Sequence, residues 1–480
     1  MLLSKIFKGA PDIDIKQLSS DSRVPMKDAI FFCVQGFKFD GHEFINEAIS
    51  NGAKVIVYEK ELKDKHKAIY VKVPNVDDAI KKIGSKFYNY PQNNLETYIV
   101  NGCYGRSSVA LFINHYLNTI KHCGYIGRFG IKYNDYSLST TFPTLTSLDN
   151  LRYINSMVDN GIDSVTFEAT SSSLGYNKLN VIDPDVFVYT NTYKDSQEFK
   201  ENGNDYFNNI RHYLYSLEDK TTVVLNRDDI SYDELKDLEI NVVTYGVNQE
   251  SDYLIKDIIL GIKGSKFSLS HDGNVYTITT KLLGMQSIYN LTAAFVSLIT
   301  KGYEANDIIE TFKNVNYVEG TMEVIDDEYN IIVDGASSID NLSEVFNFAK
   351  NVKDKGKVIG VIGISSTDDT NNIKATMSLC EKYLDLIILT EKNSYDMDTN
   401  NLLSNARSYL TTNNVVLFEH RKTAIENAIE LLNKNDILLL LGMGYLKIMY
   451  KGLGKQVYNG DKEYALRYLN RRREEENEII

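Results

Sequence analysis

The residues best suited to chemistry sit in one run, Tyr98-Ile99-Val100-Asn101-Gly102-Cys103-Tyr104-Gly105-Arg106-Ser107-Ser108, which leads into an apolar, helix-like stretch from Val109 to Leu117. A β-prone segment, a glycine-bearing turn and an amphipathic helix together make the scaffold of a phosphate-binding loop. Glycine lets the backbone approach an anion, and the amides at the helix start point toward it. In a working loop of this kind a lysine neutralises phosphate and the hydroxyl after it ligates magnesium. Here Arg106 fills the lysine slot and Ser107 keeps the hydroxyl. Gly102, Gly105, Arg106, Ser107 and Ser108 are therefore the candidate phosphate-binding set. The competing reading is a plain strand, turn and helix with Arg106 as a surface cation. A cation at a helix N-terminus is disfavoured, so an anion near Arg106 would relieve the conflict. Cys103 has no histidine beside it in sequence and reads as a small filler.

Composition bounds what such a loop can serve. A chain of 480 residues is too long for one ordinary core and implies about three domains. Its apolar content of 43% and charged content of 24% are those of a soluble globular protein. A net charge of −13 argues against a nucleic-acid partner, which needs a basic field. Four scattered cysteines (Cys33, Cys103, Cys123, Cys380) lack metal-type pairing and point to a reducing, cytoplasmic setting. The opening residues hold no sustained apolar core or small-residue cleavage site, so no leader peptide is expected. The apolar segment Ile437 to Met443 is too short to span a bilayer.

The elements that must position the loop alternate between β-like and helical patterns. Up to residue 95 these are Ala29 to Val34, Phe44 to Asn51, Lys54 to Tyr58 and Asp77 to Tyr90, with Pro91 to Asn94 as a linker. Between 96 and 320, Val165 to Phe167, Val186 to Tyr189 and Thr221 to Leu225 read as buried parallel strands. Tyr253 to Thr280 alternates with a two-residue period around a His271-Asp272-Gly273-Asn274 turn, the pattern of antiparallel strands. A helix from about Ser287 to Lys301 stops at Gly302. From 321 to 480 five strand candidates follow: Tyr329 to Val333, Val358 to Ile362, Leu384 to Leu389, Val415 to Phe418 and Ile437 to Leu441. The run Arg471 to Glu476 is expected to form a solvated helix end.

Many short motifs occur in one order. Asp21-Ser22-Arg23 leads through Phe31-Phe32 and Gly36 to Asp40-Gly41-His42-Glu43-Phe44-Ile45. Gly124-Tyr125-Ile126-Gly127, Thr140-Thr141 with Pro143, and Glu168-Ala169-Thr170-Ser171-Ser172-Ser173-Leu174 follow. After them come Thr190-Asn191 with Asp195, Val224-Leu225-Asn226, Tyr289-Asn290 and Gly320-Thr321-Met322-Glu323. In this order and spacing the chain resembles the Mur ligases, in particular the MurE-type UDP-N-acetylmuramoyl-tripeptide synthetases, over almost its whole length. The resemblance implies a three-domain α/β architecture. A UDP-binding domain (1–95) precedes a central ATPase-like domain (96–320) and a Rossmann-like carboxy-terminal domain that brings the amino acid (321–480). It also implies a reaction in which ATP phosphorylates a substrate carboxylate and an amine displaces phosphate.

Under that resemblance, Ser22, Arg23, Asp40, Gly41 and His42 stand where the family surrounds the uridine nucleotide. Thr140, Thr141, Ser171 and Lys178 stand near the sugar-peptide, and Asn290 near the adenine. Glu168 falls on a magnesium ligand. The charged positions depart from the pattern: Arg106 for the loop lysine, Ser172 for a metal-binding histidine, Arg211 for a carbamylated lysine, and Ser337 for a third-domain histidine. Lys392-Asn393-Ser394-Tyr395 replaces the amino-acid-selecting DNPR, and Gly442-Met443-Gly444-Tyr445-Leu446 replaces GKGHE. These losses lead to the expectation of a pseudoenzyme: a cytosolic binding or regulatory module beside cell-envelope synthesis, with a UDP-sugar or UDP-muramoyl peptide as ligand and a protein as partner. On that expectation there is no cofactor, and ATP and Mg2+ enter only if activity is retained. The alternatives are an active ATP-dependent amide ligase with altered residues, and a structural subunit of a complex.

Overall fold

The computed structural model describes residues 1–478 apart from 37–38, 63–64, 141–143, 195, 204, 218–219 and 327. The chain divides into two compact units, one of Met1–Thr192, Gln197–Tyr253 and Ala293–Glu304, the other of Tyr193–Ser196, Leu254–Thr292 and Ala305–Ile480.

Among the described residues, the first unit opens with a four-stranded parallel sheet of Gln17–Ser19, Ala29–Phe32, Ala53–Tyr58 and Ile69–Lys72, in that order. The sequence reading found the two central strands, whose residues are almost all buried, and missed the outer two. Gln17–Ser19 is only three residues long, and Ile69–Lys72 is half-exposed along its length. Helix Val76–Phe87 follows, started by Asn75 accepting from the Asp78 amide and burying Val76, Ala79, Ile80 and Ile83. The expected linker is an ordered turn: Tyr90 is left-handed at φ 53° and Pro91 opens a 3-10 turn to Asn94.

The second sheet of this unit runs in the order Asn241–Gly246, Thr222–Asn226, Val186–Tyr189, Glu96–Asn101, Ser164–Glu168, Cys123–Gly127, Gly130–Tyr133, Tyr136–Leu138. The first six are parallel and the last two turn back antiparallel. Glu96–Asn101 is flanked on both sides, and all its residues after Glu96 are buried. The loop after it therefore emerges at the carboxyl ends of central strands, the usual ligand edge of such a sheet. Register sets Val100 opposite Glu168 and Asn101 opposite Tyr189. The following helix, Arg106–Ile120, begins three residues before the apolar run that announced it.

In the second unit, Tyr253–Gly261, Gly264–His271 and Asn274–Thr280 form an antiparallel ribbon. The expected turn before Asn274 is present, and a second turn before Gly264 was not read. Helix Gly284–Ile299 starts three residues earlier than expected. A further sheet has the order Glu323–Val324, Asn330–Asp334, Ile437–Leu441, Val358–Ser365, Leu386–Asn393, Val415–Phe418. Strand residues alternate between its faces. Ile332, Ile362, Ile387 and Leu439 pack with helices Ile339–Val352, Thr370–Tyr383 and Thr399–Arg407. Ile331, Val361, Ile388 and Leu440 pack with Arg421–Leu431 and Asp461–Glu478. Arg471 and Glu474 to Glu476 are exposed, as expected of a solvated helix end, but Arg472 and Arg473 are tied to the fold. Arg472 Nη1 donates to the carbonyls of Ile429 and Leu432 (both 2.7 Å), and Arg473 Nη2 reaches Asp326 at 2.9 Å. The partners of those two arginines were not legible in the sequence, because a charge pattern says nothing of what the fold sets against it. At the sheet's carboxyl edge Arg421, 1% exposed, donates to Asp461 (0% exposed) and to the Leu441 carbonyl.

Candidate active site

The central loop is built as its glycines require. Gly102 and Gly105 have φ of +130° and +81°, and a Cβ on Gly102 would lie 2.1 Å from Thr190 Oγ1. Thr190 and Asn191 latch the loop from the neighbouring strand. The Cys103 and Tyr104 amides donate to Asn191 O (2.9 Å) and Oδ1 (3.0 Å), and Thr190 Oγ1 donates to the Tyr104 carbonyl at 2.7 Å.

Arg106 has the anion its position demanded. Its Nη1 donates to Glu198 Oε2 and to the Gly102 carbonyl, both at 2.7 Å, and its Nε lies 3.8 Å from Glu168 Oε2. The other Glu198 oxygen takes the Ser171 amide at 2.6 Å. Burial alone would favour the neutral guanidine, but Glu198 and Glu168 outweigh it and hold the positive charge more firmly than usual. Glu168 is 1% exposed, and both its oxygens are engaged. Oε2 accepts from Ser107 Oγ at 2.8 Å, and Oε1 accepts from the Tyr125 hydroxyl and the Arg128 amide. Sequence reasoning missed Glu198 and Tyr125, which the fold brings to the loop from 92 residues downstream and from the strand Cys123–Gly127. An acid seven positions after Asn191 was the one available hint.

These residues do not fit a protein-held magnesium ion. Mg2+ demands a near-octahedral oxygen shell, yet the Glu168 carboxylate is filled and pressed on Gly127, where a Cβ would sit 2.6 Å from Oε1. A dication about 4 Å from the guanidinium would meet a repulsion of roughly 8 kcal/mol at an effective dielectric near 20. The other expected positions do not help. The Ser172 hydroxyl pairs with Thr170 Oγ1 at 3.1 Å. Arg211 turns to Glu234 and to Asn208, its Nε donating to the Glu234 carbonyl at 2.9 Å. Ser337 is exposed in the second unit. Among the described residues, no cluster of three or more His, Cys, Asp or Glu is placed to hold a metal ion.

A separate cavity of about 730 Å³ opens in the first unit. Ser22, Arg23 and Gly41 line it, with Phe31, Phe44, Tyr88, Asp149 and Arg152. Arg23 forks onto Asp21 at 2.8 and 2.7 Å and is 80% exposed. Arg152, paired with Asp149 at 3.0 Å, was not anticipated, because only the fold carries its helix to this wall. Asp40 and His42 are not among the residues that line this cavity. His42 Nδ1 donates to Asp40 at 2.6 Å, and Nε2 accepts the amides of Glu59 and Lys60 at 3.2 and 3.4 Å. Both ring nitrogens are thus used inside the protein. The Ser171 hydroxyl is likewise spent on the Tyr206 carbonyl at 2.7 Å. Lys178 is half-buried, and that burial lowers its pKa. Thr140 is half-exposed, while Thr141, Pro143 and Asp195 lie outside the described residues. Ser108 is buried in the first turn of the loop helix. Asn290 is 2% exposed, and its Oδ1 accepts from Gln286 at 3.0 Å.

Three family models match in sequence order. The Mur ligase family catalytic domain covers residues 14–88, the Mur ligase middle domain 100–298, and the Mur ligase glutamate ligase domain 320–444. The chain belongs to the Mur ligase family. A UDP-N-acetylmuramoyl-L-alanyl-D-glutamate--2,6-diaminopimelate ligase of Clostridioides difficile (strain 630) is 28% identical over 97% of each chain. A UDP-N-acetylmuramyl-tripeptide synthetase 2 of Oceanobacillus iheyensis is 29% identical over 95% of this chain and 94% of its own. Among solved structures, a UDP-N-acetylmuramoyl-L-alanyl-D-glutamate--2,6-diaminopimelate ligase superposes with a TM-score of 0.73 at 20% identity, covering 98% and 99% of the two chains. MurF from Thermotoga maritima, solved with ADP, superposes at 0.64 and 15% identity over 97% and 100%. The three-domain Mur ligase fold is therefore that of this chain.

The comparisons overturn the expectation of a pseudoenzyme. The relatives that match this Mur ligase from end to end are named as ligases and synthetases, and an active enzyme with altered residues accounts for them better than a silent module. The inference from lost charges failed because it treated each position alone. The cationic slot is filled by Arg106, and the acids around it are paired rather than stranded.

Proposed function

We propose that this chain is an ATP-dependent ligase that forms an amide between the carboxylate of a UDP-muramoyl peptide and the amino group of an incoming amino acid, in the cytoplasm. The observation that carries the reading is the end-to-end match, 97% of each chain, to a relative named for such a ligation. The geometry supports it at two places. The 730 Å³ cavity has the volume of a nucleotide-sized site, with aromatic walls (Phe31, Phe44, Tyr88) for a base and Arg23 and Arg152 for a diphosphate. The loop Gly102–Ser108 keeps both left-handed glycines and a firmly charged guanidinium at the start of a fifteen-residue helix, which suits a nucleotide triphosphate. ATP supplies the activating phosphoryl group when bound. This chain's part is to hold its phosphates with loop amides and Arg106, and to keep the acyl carboxylate near them. The division at residues 1–95, 96–320 and 321–480 belongs to the same proposal.

The test is to incubate the full chain with ATP, Mg2+, a UDP-muramoyl dipeptide and single amino acids, following phosphate release and product mass. Phosphate release together with a product heavier by one amino-acid residue is expected. Absence of both across the amino-acid series overturns the reading.

A further inference from the structure

The site described above holds a guanidinium of its own, and it stands against Glu168, the carboxylate that the family resemblance sets at a metal position. Arg106 is not a loose surface arginine. One nitrogen is shared between Glu198 and the carbonyl of Gly102, and another faces Glu168 at 3.8 Å. Glu198 is fixed in turn by the Ser171 amide. Glu168 is closed off by three donors, the hydroxyls of Ser107 and Tyr125 and the amide of Arg128, with the Gly127 backbone behind it. A metal ion would have to displace those donors and the guanidinium together. We infer that Arg106 stands in place of a divalent cation at Glu168, so that this chain binds no metal through that carboxylate and meets nucleotide phosphate with a built-in guanidinium. The inference rests on the ligase reading only for the nucleotide. For the carboxylate it rests on Arg106, Ser107, Tyr125 and Glu168 themselves.

The test uses Mn2+ as the probe, titrated into the full chain without nucleotide and followed by the loss of the free-ion paramagnetic resonance signal. Wild type and Glu168→Gln are expected to give superimposable titrations. A stoichiometric wild-type site weakened about tenfold or more by Glu168→Gln would overturn the inference. Arg106→Ser removes the cation held between Glu168 and Glu198 and keeps the test independent of whether Glu168→Gln folds. It is expected to bind Mn2+ at least about tenfold more tightly than wild type, and a folded Arg106→Ser protein with no such gain also overturns the inference. Binding of a non-hydrolysable ATP analogue, measured with Mg2+ and with chelator, separates the two readings. Loss of analogue binding in both conditions rejects the loop as an ATP site, while the Mn2+ titrations still decide the role of Arg106.

Discussion

Arg421 holds Asp461 through two hydrogen bonds, Nε to Oδ1 at 2.7 Å and Nη2 to Oδ2 at 2.6 Å, with neither side chain more than 1% exposed. The pair joins the starts of helices Arg421–Leu431 and Asp461–Glu478. Removing one partner strands a buried charge, so Asp461→Asn should cost on the order of 3–5 kcal/mol. The double change Arg421→Met with Asp461→Leu should recover part of that loss, because both charges go but the Tyr458 hydroxyl and the Leu441 carbonyl lose their partners. Urea midpoints of the two variants, measured against wild type, check both statements.

Arg106→Ala should lower phosphate release in the ligation assay by about a hundredfold or more, since the loop's guanidinium is lost. It should also destabilise the chain by roughly 2 kcal/mol by leaving Glu168 and Glu198 without their counter-charge. Arg106→Lys keeps the charge but cannot fork, so it should fall between the two. Steady-state kinetics and thermal melts on the three proteins separate the catalytic loss from the structural one.

Acid should weaken the first unit through Asp40. Burial by itself would raise its carboxyl pKa, but Lys60 and His42 overcome that and hold it at about 2, below the ordinary 3.8. A carboxyl depressed in the folded state contributes fully above its unfolded value and loses that contribution as pH falls toward the folded one. The melting temperature of wild type should therefore drop more steeply than that of Asp40→Asn between about pH 4 and pH 2, with parallel slopes above pH 5. A pH series of thermal melts reads this directly.

The cavity wall gives a separate prediction. UDP alone should raise the melting temperature of wild type, because ligand that binds only the native state stabilises it. Replacing Arg23 and Arg152 by alanine removes two charge-assisted contacts and should weaken UDP about a hundredfold. The helix carrying Arg152 is capped by Thr146 and buries Leu148, Leu151 and Ile154, none of which this change touches. The unliganded melting temperature should accordingly move little.

How far the sequence foretold these features depended on how local the cause was. Val186–Tyr189, Val415–Phe418 and Ile437–Leu441 were bounded to the residue, because short β-branched or leucine runs flanked by turns leave little choice. Glu323–Val324 and the hairpin Ile448–Lys451 with Gly454–Val457 escaped notice, since their pairing is supplied by partners rather than by pattern. Around the loop, Arg106 and Glu168 were legible from motif spacing. What surrounds them was not, because Glu198 arrives from the start of a separate helix and Tyr125 from the middle of a separate strand. The partners of His42 were hidden for the same reason: the Glu59 and Lys60 amides that reach its ring come from the next strand's end.

The helix that ends the chain carries Ala465 and Leu469 into a core shared with Tyr329, Ile331 and Val333, while Arg473 ties down Asp326. That helix and Arg421–Leu431 together cover one side of the sheet, so loosening it uncovers apolar strand residues. Ile331, Val333 and Leu440 would then be open to chaperones, or to one another on neighbouring molecules.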